Sequence, residues 1–135
     1  MFLTTTTRTQ YFLAGNLCIS HGLLDELSQS ADPRVRARVA ENPNTAPHTL
    51  LRLSRDKSAE VRNSVASNQK LPAMALRQLA EDSSADVRYA IAEDSRAPHE
   101  ILRMLTGDEN PYVAHRALNT LSRLGTLNLD RQAVA

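Results

Sequence analysis

Val35-Arg36, Val61-Arg62 and Val87-Arg88 recur at a constant offset of 26, and Val113 falls on the next step of the series. The same offset joins Val39, Val65, Ile91 and Ala117, and then Asn42, Asn68, Asp94 and Thr120. Leu24, Leu50, Leu76 and Leu102 form another column, as do Leu27, Leu53, Leu79 and Leu105. Asp56, Asp82 and Asp108 close successive units. So many coincidences at one offset mark a stacked repeat, in which each unit buries its apolar stripe against its neighbours.

Each unit reads as two short helices. Asp32, Ser58, Ser84 and Asn110 hold the position before the first helix, and all are good N-cap residues. Pro33 and Pro111 follow two of them at N1, which suits proline. Val35 and Val39 lie four apart and share a face. A second helix begins near Pro47, Pro72 and Pro98 and carries the paired leucines; Pro47 stands one residue late, predicting a first connection one residue longer. The Asn/Asp column falls in the loop between the helices, where such residues bond their own backbone. Helices this short are unstable alone. The expected fold is all-α, an α-solenoid of about four two-helix repeats. Residues 1–8 read as a flexible tail and 9–124 as the repeat domain, with units at 9–30, 31–56, 57–82 and 83–108. A capping helix at 109–124 ends at Gly125, and 125–135 form a second tail in which Leu127 and Leu129 fold back over the last core layer.

The stretch from Asp32 to Thr45, with Leu50, Leu53 and Asp56 after it, resembles the leucine-rich repeat variant family: an acid, Val-Arg, Val-Ala, Asn-Pro, two leucines and a closing Asp. It is also similar to HEAT-like repeats, which share the cap and the Val-Arg pair. Later units depart from the pattern, with Asn68-Gln69 and Asp94-Ser95 in place of Asn-Pro. The resemblance implies a right-handed superhelix of short helices, the second of each pair either α or 3₁₀, and no single activity. Some relatives carry a cysteine-rich iron–sulfur segment before the repeats, and no cysteines here match it.

Composition narrows the functional classes. The 135 residues hold 19 Leu and 18 Ala but four Gly and no Trp, which favours helices over a turn-rich β fold. Cys18 is the only cysteine, so cysteine-based metal sites and an internal disulfide are out, and it reads as a small core residue. No apolar run is long enough to cross a bilayer and no signal peptide is evident, so the expected location is cytoplasmic. Fourteen of the 16 basic residues are Arg, which GC-rich coding explains as well as recognition does. The net charge of +1 hides an asymmetry: residues 33–77 hold nine basic and three acidic side chains, and residues 78–115 hold three and eight.

Arg36, Arg62 and Arg88 admit two readings. They are a basic ladder able to track phosphates, or a structural ladder bridging to Asp56, Asp82 and Asp108, which recur in step. His21, His48 and His99 fall at the starts of second helices with no acid recurring at ligand spacing, so no metal or cofactor is expected. No nucleophile elbow, phosphate loop or separate carboxylate pair is present, and the chain is expected not to be an enzyme. The variable column Tyr11, Ala37, Asn63, Tyr89 and His115 lies two residues after the buried valines and points away from the core. Tyr89, His115, Asn63, Arg34, Arg38 and Tyr112 are therefore the candidate contacts of a protein or peptide partner. The alternative is nucleic-acid binding through residues 33–77. Self-association through the oppositely charged halves is a further expectation.

Overall fold

The computed structural model describes residues 6–133, with side chains through residue 125. Among these residues every regular element is helical: α1 Thr7–Ala14, α2 His21–Leu27, α3 Pro33–Glu41, α4 Pro47–Leu53, α5 Ala59–Ala66, α6 Ala73–Ala80, α7 Ala85–Glu93, α8 His99–Leu105 and α9 Pro111–Ala133. The odd-numbered helices begin at 7, 33, 59, 85 and 111, and the even-numbered helices at 21, 47, 73 and 99. Every step in both series equals the offset of the valine and leucine columns, so the helix starts keep the sequence register without slippage.

The structure corrects three readings and decides a fourth. The connection before α4 is no longer than the others, because Pro47 is the first residue of α4 whereas Pro98 is the N-cap of α8. The N-caps Ala46 and Pro98 share an extended backbone, with φ −67°, ψ 147° and φ −54°, ψ 138°. Proline fits either side of that boundary, so its position alone does not time a helix start. At the other end, the first unit begins at Thr7, inside the stretch read as a tail; Thr6 extends the cap column, its hydroxyl accepting from the Thr9 N–H at 3.4 Å. The second helices, left open between α and 3₁₀ by the sequence, are α. Finally, α9 runs through Gly125 to Ala133: a single glycine costs a helix only about 1 kcal/mol relative to alanine. Residues 1–5 and the side chains of Leu127 and Leu129 lie outside what is described.

The chain divides into two compact units, Met1–Ala75 and Leu76–Ala135. In the first, α3 packs between α1 and α5, while α2 lies against α3 and α4 against α5. Its core is the repeated stripe: Val35, Val39, Val61 and Val65 from the first helices, Leu24, Leu50 and Leu53 from the second. In the second unit α7 and α9 pack together and α8 packs on both. Val87, Ile91, Leu102, Leu105, Val113 and Ala117 fill the equivalent positions. Each fully buried leucine or valine contributes on the order of 1.5–3 kcal/mol, which lets such short helices persist. Cys18 is exposed in the loop after α1, not part of the core; its N–H bonds Asn16 Oδ1 at 2.9 Å.

Candidate functional site

Polar side chains pointing into the stack hold the repeats in register. Arg36 and Arg88 are buried. Arg36 Nε and Nη2 donate to the Asp56 carboxylate at 2.8 and 3.0 Å, and Nη1 reaches back to the Ser30 carbonyl at 2.8 Å. Arg88 repeats the arrangement with Asp108 at 2.7 and 3.0 Å and the Asp82 carbonyl at 2.7 Å. Arg62, half-buried, donates to the Asp56 carbonyl at 2.7 Å. The closing acids also cap the next helix entry: Asp56, Asp82 and Asp108 accept from the N–H groups of Ser58, Ser84 and Asn110 at 2.8–2.9 Å.

Burial pushes the Asp56 carboxyl up, but Arg36 and the Ser58 N–H outweigh it and hold it below the ordinary aspartate range. The Arg88 guanidinium lowers Asp108 in the same way. Both arginines are correspondingly raised by these hydrogen bonds. In this geometry Arg36 and Arg88 have their donors turned inward, and a phosphate backbone would have to break a buried pair to reach them.

The asparagine column does more than turn the loop. Asn42 Oδ1 accepts from the Asn44 N–H at 2.9 Å, while Nδ2 donates to the Ala14 and Asn16 carbonyls at 2.8 and 3.0 Å. Asn68 does the same one repeat later, with the Ala40 and Asn42 carbonyls at 2.7 and 3.2 Å. Thr120 Oγ1 reaches the Ala92 carbonyl at 2.7 Å in the second unit. Each side chain thereby satisfies carbonyls left over at the end of the previous repeat's first helix.

The outward faces of the odd-numbered helices carry the candidate contacts. In the first unit a groove of about 580 Å³ opens over α1, α3 and α5, lined by Thr7, Arg8, Tyr11, Phe12, Arg34, Val35, Ala37, Arg38, Glu41 and Glu60. Its origin is a repeat column. Tyr11 of α1 corresponds to Ala37 of α3, so the middle helix carries a methyl group where its neighbour carries a ring; unlike the rest of its column Ala37 is buried, 4% exposed, at the floor of the hollow. Phe12 is largely exposed, and Tyr11 packs edge-on against it at 6.2 Å.

The Arg38 guanidinium lies 5.5 Å from the Tyr11 ring centre and is held by Glu41 at 3.0 Å. Gly15 makes this seat possible, because a Cβ there would stand 2.6 Å from Arg38 Nε. Arg34 is tied to Asp32 by bonds at 2.8 and 3.2 Å. Arg8 lies 5.9 Å from the Phe12 ring.

In the second unit the same register positions build a related but smaller hollow of about 360 Å³, lined by Ala85, Asp86, Tyr89, Asn110, Tyr112 and Val113. Beside it Arg116 lies 5.8 Å from the Tyr89 ring and pairs with Glu93 at 3.2 Å. Tyr112 is 77% exposed. A third depression in this unit is lined by Glu81, Asp82, Asp108, Glu109 and Met104 among others.

The structure therefore brings Arg34 and Arg38 to one groove and Tyr89 and Tyr112 to one hollow. Asn63 is half-buried on α5 and His115 is exposed on α9, and neither lines a depression described above. Sequence reasoning did not single out Arg8 and Phe12, which lie one repeat before Arg34 and Arg38. Carrying the register back through Thr7 identifies them. His21, His48 and His99 are exposed at the starts of α2, α4 and α8. Only His48 approaches an acid, Asp25 at 3.6 Å, and that carboxylate is already held by Thr49 and Arg52. Among the described residues no three His, Cys, Asp or Glu side chains gather as metal ligands, and no helix is long and apolar enough to cross a membrane.

Residues 33–58, from the first residue of α3 through the turn after α4, match the model of the leucine rich repeat variant family. The match spans one repeat unit. No curated protein and no solved structure matches the chain.

Proposed function

We propose that this helical-repeat protein is a non-catalytic binding module, and that it takes a protein or peptide segment in the groove over α1, α3 and α5. The observation that carries the reading is the hollow above Ala37, walled by the exposed rings of Tyr11 and Phe12 and rimmed by charged side chains. Exposed aromatic rings beside ordered guanidinium groups are the surface chemistry that supplies interface hot spots. A volume of about 580 Å³ accommodates one bulky side chain with its flanking backbone. The repeat family matched at 33–58 supports an interaction role in general terms. Nucleic-acid binding through residues 33–77 draws less support, because Arg34, Arg36, Arg38 and Arg52 are each paired with an acid. The proposed setting is the cytoplasm.

The test is selection of displayed random peptides on the immobilised full chain, followed by binding in solution by fluorescence anisotropy. A family of related peptides should emerge, and its binding should be lost in Ala37→Tyr. That substitution places in the hollow the side chain the repeat already carries at positions 11 and 89; because Ala37 is 4% exposed, the unfolding midpoint is measured alongside to show that the variant is folded. The reading is wrong if no related family emerges, or if the family binds the variant undiminished.

A further inference from the structure

The charges around the groove sort into those already paired and those left over. Arg34 is occupied by Asp32, and Arg38 by Glu41. Arg8 on α1 makes no ion pair among the described residues, its guanidinium resting only near the Phe12 ring. Glu60 on α5 is exposed and makes no ion pair or hydrogen bond among them, although, after Asp32, its charge helps to raise the Arg34 pKa. These two side chains occupy the same column of the repeat, two steps apart, with Arg34 at the step between them and Ala37 beside it on α3. The groove thus has the Tyr11 and Phe12 rings and the Ala37 floor between a cation without an ion pair on the α1 side and, on the α5 side, an anion whose charge acts on Arg34.

The geometry points to one ligand class: an extended peptide crossing from α1 to α5, with a bulky apolar side chain seated over Ala37, an acidic residue toward Arg8 and a basic residue toward Glu60. This assignment rests on the peptide-binding reading above and adds the charge order. Neighbouring packed helices lie roughly 8–10 Å apart. An extended chain advances about 3.3–3.6 Å per residue. One helix step therefore corresponds to about two to three residues, and the acid and the base fall about two to three positions to either side of the anchor. Opposite signs on the two walls also fix the orientation of the segment, since reversing it would place like charges together on both sides. The second unit's hollow does not offer this chemistry: at the same column it carries Asp86 and Tyr112, with no cation among its lining residues.

The experiment repeats the display selection with the full-length chain and with two exposed-residue variants, Arg8→Glu and Glu60→Lys. The unsubstituted chain should select a bulky apolar residue flanked by an acid on one side and Lys or Arg on the other. Arg8→Glu should change the acid to a base at its position only, and Glu60→Lys should change the base to an acid at its position only. A synthetic peptide of the selected pattern should bind each variant roughly tenfold more weakly, with the loss shrinking as salt is raised. If related peptides are selected and Ala37→Tyr abolishes their binding, yet neither variant alters the flanking preference, the charge order is wrong while the groove remains a peptide site. If Ala37→Tyr has no effect on any selected family, both readings fall.

Discussion

Replacing Asn42 by Asp tests whether the asparagine clamp joins one repeat to the next. The side chain is 3% exposed, and its Nδ2 carries both bonds to the preceding repeat, to the Ala14 and Asn16 carbonyls. Aspartate keeps the shape and the oxygen that accepts from the Asn44 N–H, so the loop turn is preserved. It removes two donors and puts a carboxylate oxygen where two carbonyl oxygens already converge. Each lost hydrogen bond costs about 1 kcal/mol, and stranding buried acceptors adds about 1–3 kcal/mol. An uncompensated buried charge brings the total to roughly 3–5 kcal/mol at pH 7.

The pH dependence gives the sharper signature. In the folded variant the carboxylate faces carbonyls, so its pKa is raised above the unfolded value of about 3.9. A raised acid favours folding at pH below the unfolded pKa, and that contribution is lost as pH rises through the folded pKa. The protonated group also regains one donor. The deficit relative to the unsubstituted chain should therefore shrink to about 1–2 kcal/mol near pH 4. Urea unfolding followed by circular dichroism at pH 4 and pH 7 measures both numbers. Two results would refute the clamp. One is a cost at pH 7 no larger than that of an ordinary surface substitution, about 0.5 kcal/mol. The other is a deficit that is the same at both pH values.

Three further perturbations follow from the same geometry. Asp108 is held below the ordinary aspartate range by Arg88, so its contribution is present above about pH 4 and lost as pH falls through the depressed folded pKa; Asp108→Asn should destabilise at pH 7 by about 3–5 kcal/mol and flatten the acid limb of the stability profile, measured by thermal unfolding from pH 2 to 7. Leu102→Ala, at a fully buried position, should cost about 2.7–5 kcal/mol in urea unfolding, and a loss below about 1 kcal/mol would contradict the packing described for α8. Gly15→Ala has no backbone objection, since φ is −87° there, but its Cβ would displace Arg38; the Tyr11 ring resonances should shift while the unfolding midpoint barely moves, and unchanged resonances would mean that Arg38 does not lie on the ring.

The repeat is readable because it is written twice over, in local capping and in nearest-neighbour packing. Caps such as Asp32 and Asn110, the Val35/Val39 spacing and the Leu50/Leu53 pair each act within one unit, and the constant period shows that every unit has the same neighbours. Helices and core columns follow from that alone. Boundaries are less legible where a signal is permissive: Pro47 and Pro98 sit on different sides of the same boundary, and Gly125 permits a helix end without imposing one. Cys18 departs from expectation because its residue type usually prefers burial, whereas its loop places it in solvent.

What the sequence by itself determined is thus the all-helical repeat, its period and the valine and leucine stripes that face inward. Tertiary structure alone decided how the outward residues combine. Arg34 and Arg38 pair with Asp32 and Glu41, and Arg36 is buried against Asp56, so these members of the basic stretch are not free cations in the fold. The groove depends on Tyr11, Ala37 and Glu60, residues of three helices that become neighbours only when the units stack. The reason is physical: periodicity records which side of a helix is buried, whereas a binding surface depends on the heights and unpaired charges of side chains from different units, and no spacing within one unit encodes those.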